Sequence, residues 1–171
     1  AHLARAQAYM RSPGNGFRGQ AKADLERVLE VSPESLRARE MLVAWLLQNG
    51  TPGDAIVHLQ RLVEMQPGNL DYRLQLASLY LTVGRHAVLE EQLRQWSARE
   101  PESAEWAWLR GKLLLAQGKA ADAVKELGAY LAKQKTPITL APYIRALLAA
   151  GEPAKAMAVL EENRAMVDEA P

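Results

Sequence analysis

Gly14-Asn15-Gly16-Phe17-Arg18-Gly19 is the one enzyme-like signature in the sequence. It fits G-x-G-x-x-G, the pattern whose backbone cradles a dinucleotide pyrophosphate. That chemistry needs a strand before the glycines, a βαβ unit around them and an acidic residue about 20 positions later. Helix-patterned sequence precedes this one, and Gly16 shares a spacing with Gly50, Gly84 and Gly118 that already accounts for it. The three histidines, His2, His58 and His86, are far apart and lack neighbouring ligand types, so they read as surface or partly buried side chains rather than metal ligands. Glu90-Glu91 and Glu161-Glu162 are adjacent pairs, pointing about 100° apart on a helix, and cannot share a proton. There is no cysteine, which excludes disulfides, thiolate metal sites and cysteine nucleophiles. No P-loop, nucleophile elbow or H-E-x-x-H occurs. Neither catalysis nor a cofactor or metal is expected.

The composition is that of an ordinary globular protein. The 171 residues are 49% hydrophobic and 24% charged with a formal net charge of +1. That apolar content offsets the ordering entropy that keeps polar chains disordered. The longest uncharged apolar run is Met41–Leu47, far short of a membrane span. The near-neutral balance offers no electrostatic basis for holding nucleic acid. A chain opening at Ala1 reads as a fragment or a processed chain.

A repeat organises the elements. Pro33, Pro67 and Pro101 recur every 34 residues, each closing a helix-patterned segment, and Gly16, Gly50, Gly84 and Gly118 keep the same period. A third marker in phase is a small residue followed four positions later by leucine: Ala21/Leu25, Ala55/Leu59, Ala123/Leu127 and Ala156/Leu160, with Leu89/Leu93 filling the same slots. Glycine at mid-repeat supplies a residue tolerant of left-handed backbone at a helix end. Alanine lets the second helix cross the first closely, and proline stops the second helix because it cannot continue the hydrogen-bond ladder. Between the markers the apolar spacing is helical, as in Met41, Leu42, Trp45 and Leu46, or Leu76, Ala77, Leu79, Tyr80 and Val83. Ser35, Asn69, Ser103, Thr51 and Thr139 are candidate helix N-caps. No segment alternates with period two, so no strand is expected.

These markers resemble the tetratricopeptide repeat family, whose unit is two antiparallel helices in 34 residues. The resemblance covers nearly the whole chain and implies an all-α, right-handed superhelical solenoid of about five stacked helix pairs. The five units fall at about 2–33, 34–67, 68–101, 102–136 and 137–171, a single solenoid. Gly111 occupies the small-residue slot of the fourth unit, while Trp106 and Trp108 flank the slot of the family's tryptophan. Ser12–Gly16 should lengthen the first turn. Pro142 places the start of the fifth unit's first helix near Leu140, because proline is tolerated in the first turn, and Gly151 falls one residue early. Met157, Val159, Leu160, Met166 and Val167 leave the last helix apolar with no polar capping helix after it, which suggests a longer array or end-on packing against another copy.

The resemblance further implies that the first helices of successive units line a concave surface that holds extended peptides or helices. Its second, fifth, ninth and twelfth slots are here Arg37, Glu40, Ala44 and Leu47; Asp71, Leu74, Ser78 and Leu81; and Glu105, Trp108, Lys112 and Leu115. In the fifth unit they include Arg145 and Leu148. The Lys/Asn pattern with which chaperone-binding members clamp a terminal carboxylate is absent, since Glu40, Leu74 and Ser78 hold those slots. Trp108 beside Lys112 has the make-up of a protein-binding hot spot, or else packs against a neighbouring unit. By unit the charge runs +2, −1, 0, +2 and −2, and the lysines of the fourth (Lys112, Lys119, Lys125, Lys133, Lys135) scatter around their helices, so no phosphate track forms. The expected partner is thus a protein or peptide segment bound by a non-catalytic scaffold, with no nucleic acid and no membrane span. Two other readings are self-assembly through the solenoid ends and an accessory arm of a larger bacterial machine. The excess of arginine over lysine (14 against 7) and the Ala/Leu-rich repeats resemble family members of exopolysaccharide-export or pilus-assembly systems. That analogy favours the periplasm slightly.

Overall fold

The computed structural model describes residues 2–11 and 18–164. Within them the chain is all α-helical: α1 (His2–Arg11), α2 (Arg18–Val31), α3 (Leu36–Gln48), α4 (Pro52–Met65), α5 (Leu70–Thr82), α6 (His86–Arg99), α7 (Glu105–Ala116), α8 (Ala120–Leu131), α9 (Pro137–Ala149) and α10 (Pro153–Glu162). No strand occurs among the described residues. The Ser12–Gly16 turn, Gly14 and Gly16 of the glycine pattern, and Met166 and Val167 lie outside the described residues.

The helices form two compact units, Ala1–Gly84 and Arg85–Pro171. In the first, α1 packs on α2, α2 on α3, α3 on α4 and α4 on α5, with α1 also touching α3. In the second, α6 packs on α7, α7 on α8, α8 on α9 and α9 on α10, with α7 also touching α9. From α2 onward, short turns between packed neighbours make these helical hairpins.

The repeat markers do the local work their chemistry implies. Ala21, Leu25, Ala55, Leu59, Leu89, Leu93, Ala123, Leu127 and Ala156 are all at most 2% exposed; Leu160 is half-buried. Gly111 marks a close crossing: a Cβ there would lie 2.5 Å from Leu127 Cγ, so α7 and α8 approach to a distance that favours glycine. Gly50, Gly84, Gly118 and Gly151 have φ of 75°, 71°, 76° and 77°. Gly50 N–H donates to Leu47 O and Thr51 N–H to Leu46 O, at 3.4 and 2.9 Å. Gly118 and Lys119, then Gly151 and Glu152, repeat that pair of bonds, which closes each helix on its own last carbonyls. The prolines act one residue upstream: Gln66 and Glu100, preceding Pro67 and Pro101, leave the helical region (φ −133°, ψ 75° and φ −134°, ψ 68°) and so end α4 and α6.

The caps follow the sequence in part. Ser35 and Asn69 accept from the backbone N–H of Ala38 and Tyr72, each at 3.4 Å. Ser103 is not a cap, because its hydroxyl donates to the Glu105 carboxylate at 2.6 Å and Ala104 takes the cap position. Thr51 flanks α4 but its hydroxyl donates backwards to Leu46 O at 3.0 Å, closing α3 instead. Thr139 is not the cap of α9. Thr136 is, and Thr139 returns the bond from the third helical position in a reciprocal capping box. The helix therefore begins at Pro137 and not near Leu140, and carries Pro142 inside it. Pro137 sits where an N–H would be unsatisfied anyway, and the box anchors the first turn against the one ladder bond that Pro142 removes. Trp106 is a core residue at 1% exposure, its ring 5.6 Å from that of Trp96 and its Nε1–H donating to Glu100 O at 3.1 Å.

Candidate protein-binding groove

In the first unit the anticipated inner slots of α3 line a real depression. Glu40, Val43, Ala44 and Leu47 of α3, with Tyr72 and Gln75 of α5 and Leu62 of α4 beneath, enclose a crevice of about 300 Å³. Leu47 remains 40% exposed at its edge. The buried Tyr72 hydroxyl donates to Glu40, tying α5 to α3 across the crevice. Burial and then that carboxylate push the Tyr72 phenol up to about 12, so it stays a neutral donor. Arg37 is exposed and donates to Gln7 Oε1 of α1 at 2.9 Å. The α5 slots Asp71, Leu74, Ser78 and Leu81 do not line this crevice: Asp71 is exposed and the other three are half-buried. Tyr72 and Gln75 were not anticipated from the four-slot rule. Their signal is the next position round the same helix, which meets the preceding hairpin.

In the second unit the four slots of α7 run along one line. Glu105, in the first turn, accepts from Ser103 Oγ at 2.6 Å and from Gln134 Nε2 at 3.4 Å. The Ser103 bond chiefly holds its carboxyl below the usual range. Trp108, one turn on, is packed on one side and open on the other. It packs against the buried cluster of Ala123, Leu127 and Ala146, with its ring 6.2 Å from that of Tyr130, yet it stays half-buried. Its buried indole N–H has no acceptor among the described residues. Lys112 Nζ lies 4.2 Å from the centre of the Trp108 ring, a cation–π geometry. Burial, and then the Arg145 cation, push the Lys112 ammonium pKa down. Leu115 closes the line, packed on the same cluster.

The glycine turns settle the uncertain register of α9. Leu47, Leu81, Leu115 and Leu148 each accept the N–H of the positive-φ glycine three residues on. Leu148, 54% exposed, is therefore the twelfth slot, and Arg145 is the α9 counterpart of Lys112. Tyr130 and Tyr143 join this neighbourhood without having been anticipated; the Tyr143 ring lies 3.5 Å from where a Gly128 Cβ would sit.

Three other constellations lie off these slots. Asp24, on α2 and 5% exposed, accepts from His2 Nδ1 at 2.9 Å and Arg5 Nε at 2.6 Å of α1. The arginine bond chiefly holds its carboxyl far below the usual range. His58 of α4 has Nδ1 3.4 Å from Arg39 Nη1 of α3, and burial followed by that guanidinium keeps it neutral more readily than usual. A crevice of about 520 Å³ on α6 and α7 mixes Leu93, Leu113 and Leu114 with Glu90, Arg94 and Arg110. Among the described residues no three His, Asp or Glu side chains could hold a metal ion, and no helix is long and apolar enough to cross a membrane.

Solved structures share this fold. A tetratricopeptide repeat protein from Parabacteroides merdae ATCC 43184 superposes with a TM-score of 0.77 at 13% identity, over 96% of this chain and 65% of that one. A thermophilic tetratricopeptide repeat protein of Thermus thermophilus gives 0.67 at 20% identity, over 99% and 93%. MamA of Desulfovibrio magneticus RS-1, from residue 41 to its end, gives 0.69 at 11%, over 95% and 94%. No curated protein matches the sequence. Two sequence families, both described as tetratricopeptide repeat, match residues 3–69 and 46–113 and together span most of the chain. With its 34-residue period, left-handed glycine turns and buried Ala/Leu crossings, the chain belongs to the tetratricopeptide repeat family.

Proposed function

We propose that the chain is a non-catalytic scaffold that holds a segment of a partner protein against the inner slots of its hairpins. The family and fold support an interaction scaffold in general terms. The observation that carries the finer reading is the crevice at Glu40, Ala44 and Leu47, which coincides with slots chosen from the repeat register. It is concave, floored by leucine and rimmed by a few polar groups, the make-up of a recognition site. Lys112 and Trp108 mark the corresponding face of α7 in the second unit.

Partner capture on the immobilised chain tests this. Leu47→Asp and Lys112→Glu should each reduce retention of partner proteins at least fivefold. Val57→Asp, on an α4 side chain that is 60% exposed and away from the slots, should leave it unchanged. Equal retention by all three would remove the groove assignment.

A further inference from the structure

The α7–α9 face of the second unit holds two cations in equivalent slots, Lys112 and Arg145, on helices that touch one another; burial chiefly, and then the Arg145 charge, disfavours the protonated Lys112. No acidic side chain pairs with either among the described residues. Some other cations of the unit are neutralised at close range, Arg110 by Glu126 at 3.3 Å, Lys125 by Asp122 at 3.7 Å and Lys155 by Glu152; Lys112 differs from the rest of the unpaired ones in being set over a tryptophan ring. The nearest acid on the line of slots, Glu105, lies seven residues before Lys112, about 10 Å along the helix, and is held by Ser103 and Gln134. Apolar slots stand on both sides of Lys112, Trp108 four residues before it and the half-buried Leu115 three residues after.

From this juxtaposition we propose that the Lys112–Arg145 pair receives an acidic side chain from the interior of a partner segment whose flanking apolar side chains lie on Trp108 and Leu115. This rests on the groove reading above and names the chemistry of its occupant in the second unit. A carboxylate there relieves the repulsion between the two cations and takes charge-assisted hydrogen bonds from both. The apolar lane on either side lets the bound chain run on in both directions, which favours a side chain over a chain terminus. Glu105 disfavours a second acid toward the start of α7, so the acid is flanked by apolar residues and not by a run of acids.

The probe is the peptide acetyl-Ser-Gly-Leu-Glu-Leu-Gly-Ser-amide, titrated into the full chain and followed by the Trp108 indole and Leu115 methyl resonances. The comparison peptides carry Gln for Glu, one as the amide and one as the free acid. The Glu peptide should shift both resonances saturably, at least tenfold more tightly than its Gln amide, and more weakly as salt rises. Lys112→Met, which keeps the stem over Trp108, and Arg145→Gln should each weaken the Glu peptide at least fivefold and leave the Gln amide unchanged. Equal binding of Glu and Gln amides overturns the acidic assignment while the groove reading stands. Tighter binding by the free-acid Gln peptide overturns it in favour of a terminal carboxylate. No response at Trp108 to any of the three also overturns it, and the Leu47→Asp capture experiment, which reads the other unit, reports separately on the groove.

Discussion

Gly111→Ala adds one methyl group at the close crossing of α7 and α8. The new Cβ would lie 2.5 Å from Leu127 Cγ, 2.8 Å from its Cδ2 and 3.2 Å from its backbone nitrogen. Carbon atoms pack comfortably at about 3.5–4.0 Å, so Leu127 or the whole of α8 must retreat. Leu127 is 1% exposed and packed with Ala123, Ala146 and Trp108, so it has little room to give way. Overpacking of this kind costs about 1–3 kcal/mol, against a gain of about 1 kcal/mol from replacing glycine by alanine in a helix interior. The balance is a destabilisation of up to about 2 kcal/mol, a fall in Tm of up to about 8 °C for a chain of this size. Urea unfolding followed by circular dichroism and tryptophan emission measures it, since Trp96, Trp106 and Trp108 all report on the second unit. Two companions fix the cause. Gly53→Ala, in α4 with nothing within 4 Å of the new Cβ, should stabilise by about 0.4–1 kcal/mol. In a Leu127→Ala background, itself lower by about 2–5 kcal/mol, Gly111→Ala should change sign and stabilise, because the two side-chain atoms it struck are gone and only the backbone nitrogen at 3.2 Å remains. Stabilisation by Gly111→Ala in the parent chain would refute the close-crossing account.

Gly118→Ala, at φ 76° with open space around it, should cost about 1 kcal/mol through backbone strain alone, read from the same urea curves. His58 should make stability fall on acidification: its folded pKa lies below the ordinary 6.5, so the unfolded chain takes up the proton first and the stability present above 6.5 drains away as pH drops toward the folded value. His58→Gln should flatten that slope in unfolding curves collected from pH 7.5 to 5. Asp24 has the same sign in a lower pH window, below its ordinary 3.8. With its carboxyl held far down by Arg5 and His2, its contribution persists at neutral pH and is lost in strong acid alone. Asp24→Asn should therefore speed hydrogen exchange in α1 at pH 7 while leaving α7 unchanged.

The repeat was legible because each of its markers is fixed by a steric requirement within one hairpin. A positive φ selects glycine, a close crossing selects alanine or glycine, and a helix end tolerates proline, whatever the neighbours are. The caps were less legible because a hydroxyl can serve several partners. Ser103 and Thr51 have the right chemistry in the right place, yet Glu105 and the end of α3 take their protons. The start of α9 escapes any reading that weighs Pro142 alone, because the capping box of Thr136 and Thr139 anchors a turn ahead of it. Within the candidate groove the four-slot rule located Glu40, Ala44 and Leu47 but missed Tyr72 and Gln75, since it counts side chains facing outward from one helix and not those leaning toward the preceding hairpin.

Why the occupant of such a groove is harder to read follows from the same physics. The crossing residues Ala123 and Leu127 are constrained by what they touch, and a substitution there changes stability. Inner-slot side chains reach neighbouring helices through individual contacts, as Trp108 does on the Ala123 and Leu127 cluster, but the half-buried or exposed slots leave the fold freer in its choice of residue than the crossings do. The ninth slot illustrates this: it is Ala44 in α3, Ser78 in α5, Lys112 in α7 and Arg145 in α9, on helices of closely similar length and packing. Nothing in the hairpin geometry asks for a cation at the last two. Placing two unpaired cations in equivalent positions on packed helices costs stability through their repulsion and through the partial desolvation of Lys112. Removing one of them should therefore stabilise the free chain slightly even as it weakens an acidic ligand. A substitution that improves stability while reducing binding separates a recognition residue from a structural one, and Arg145→Gln, exposed and outside the core, is the place to look for that pairing.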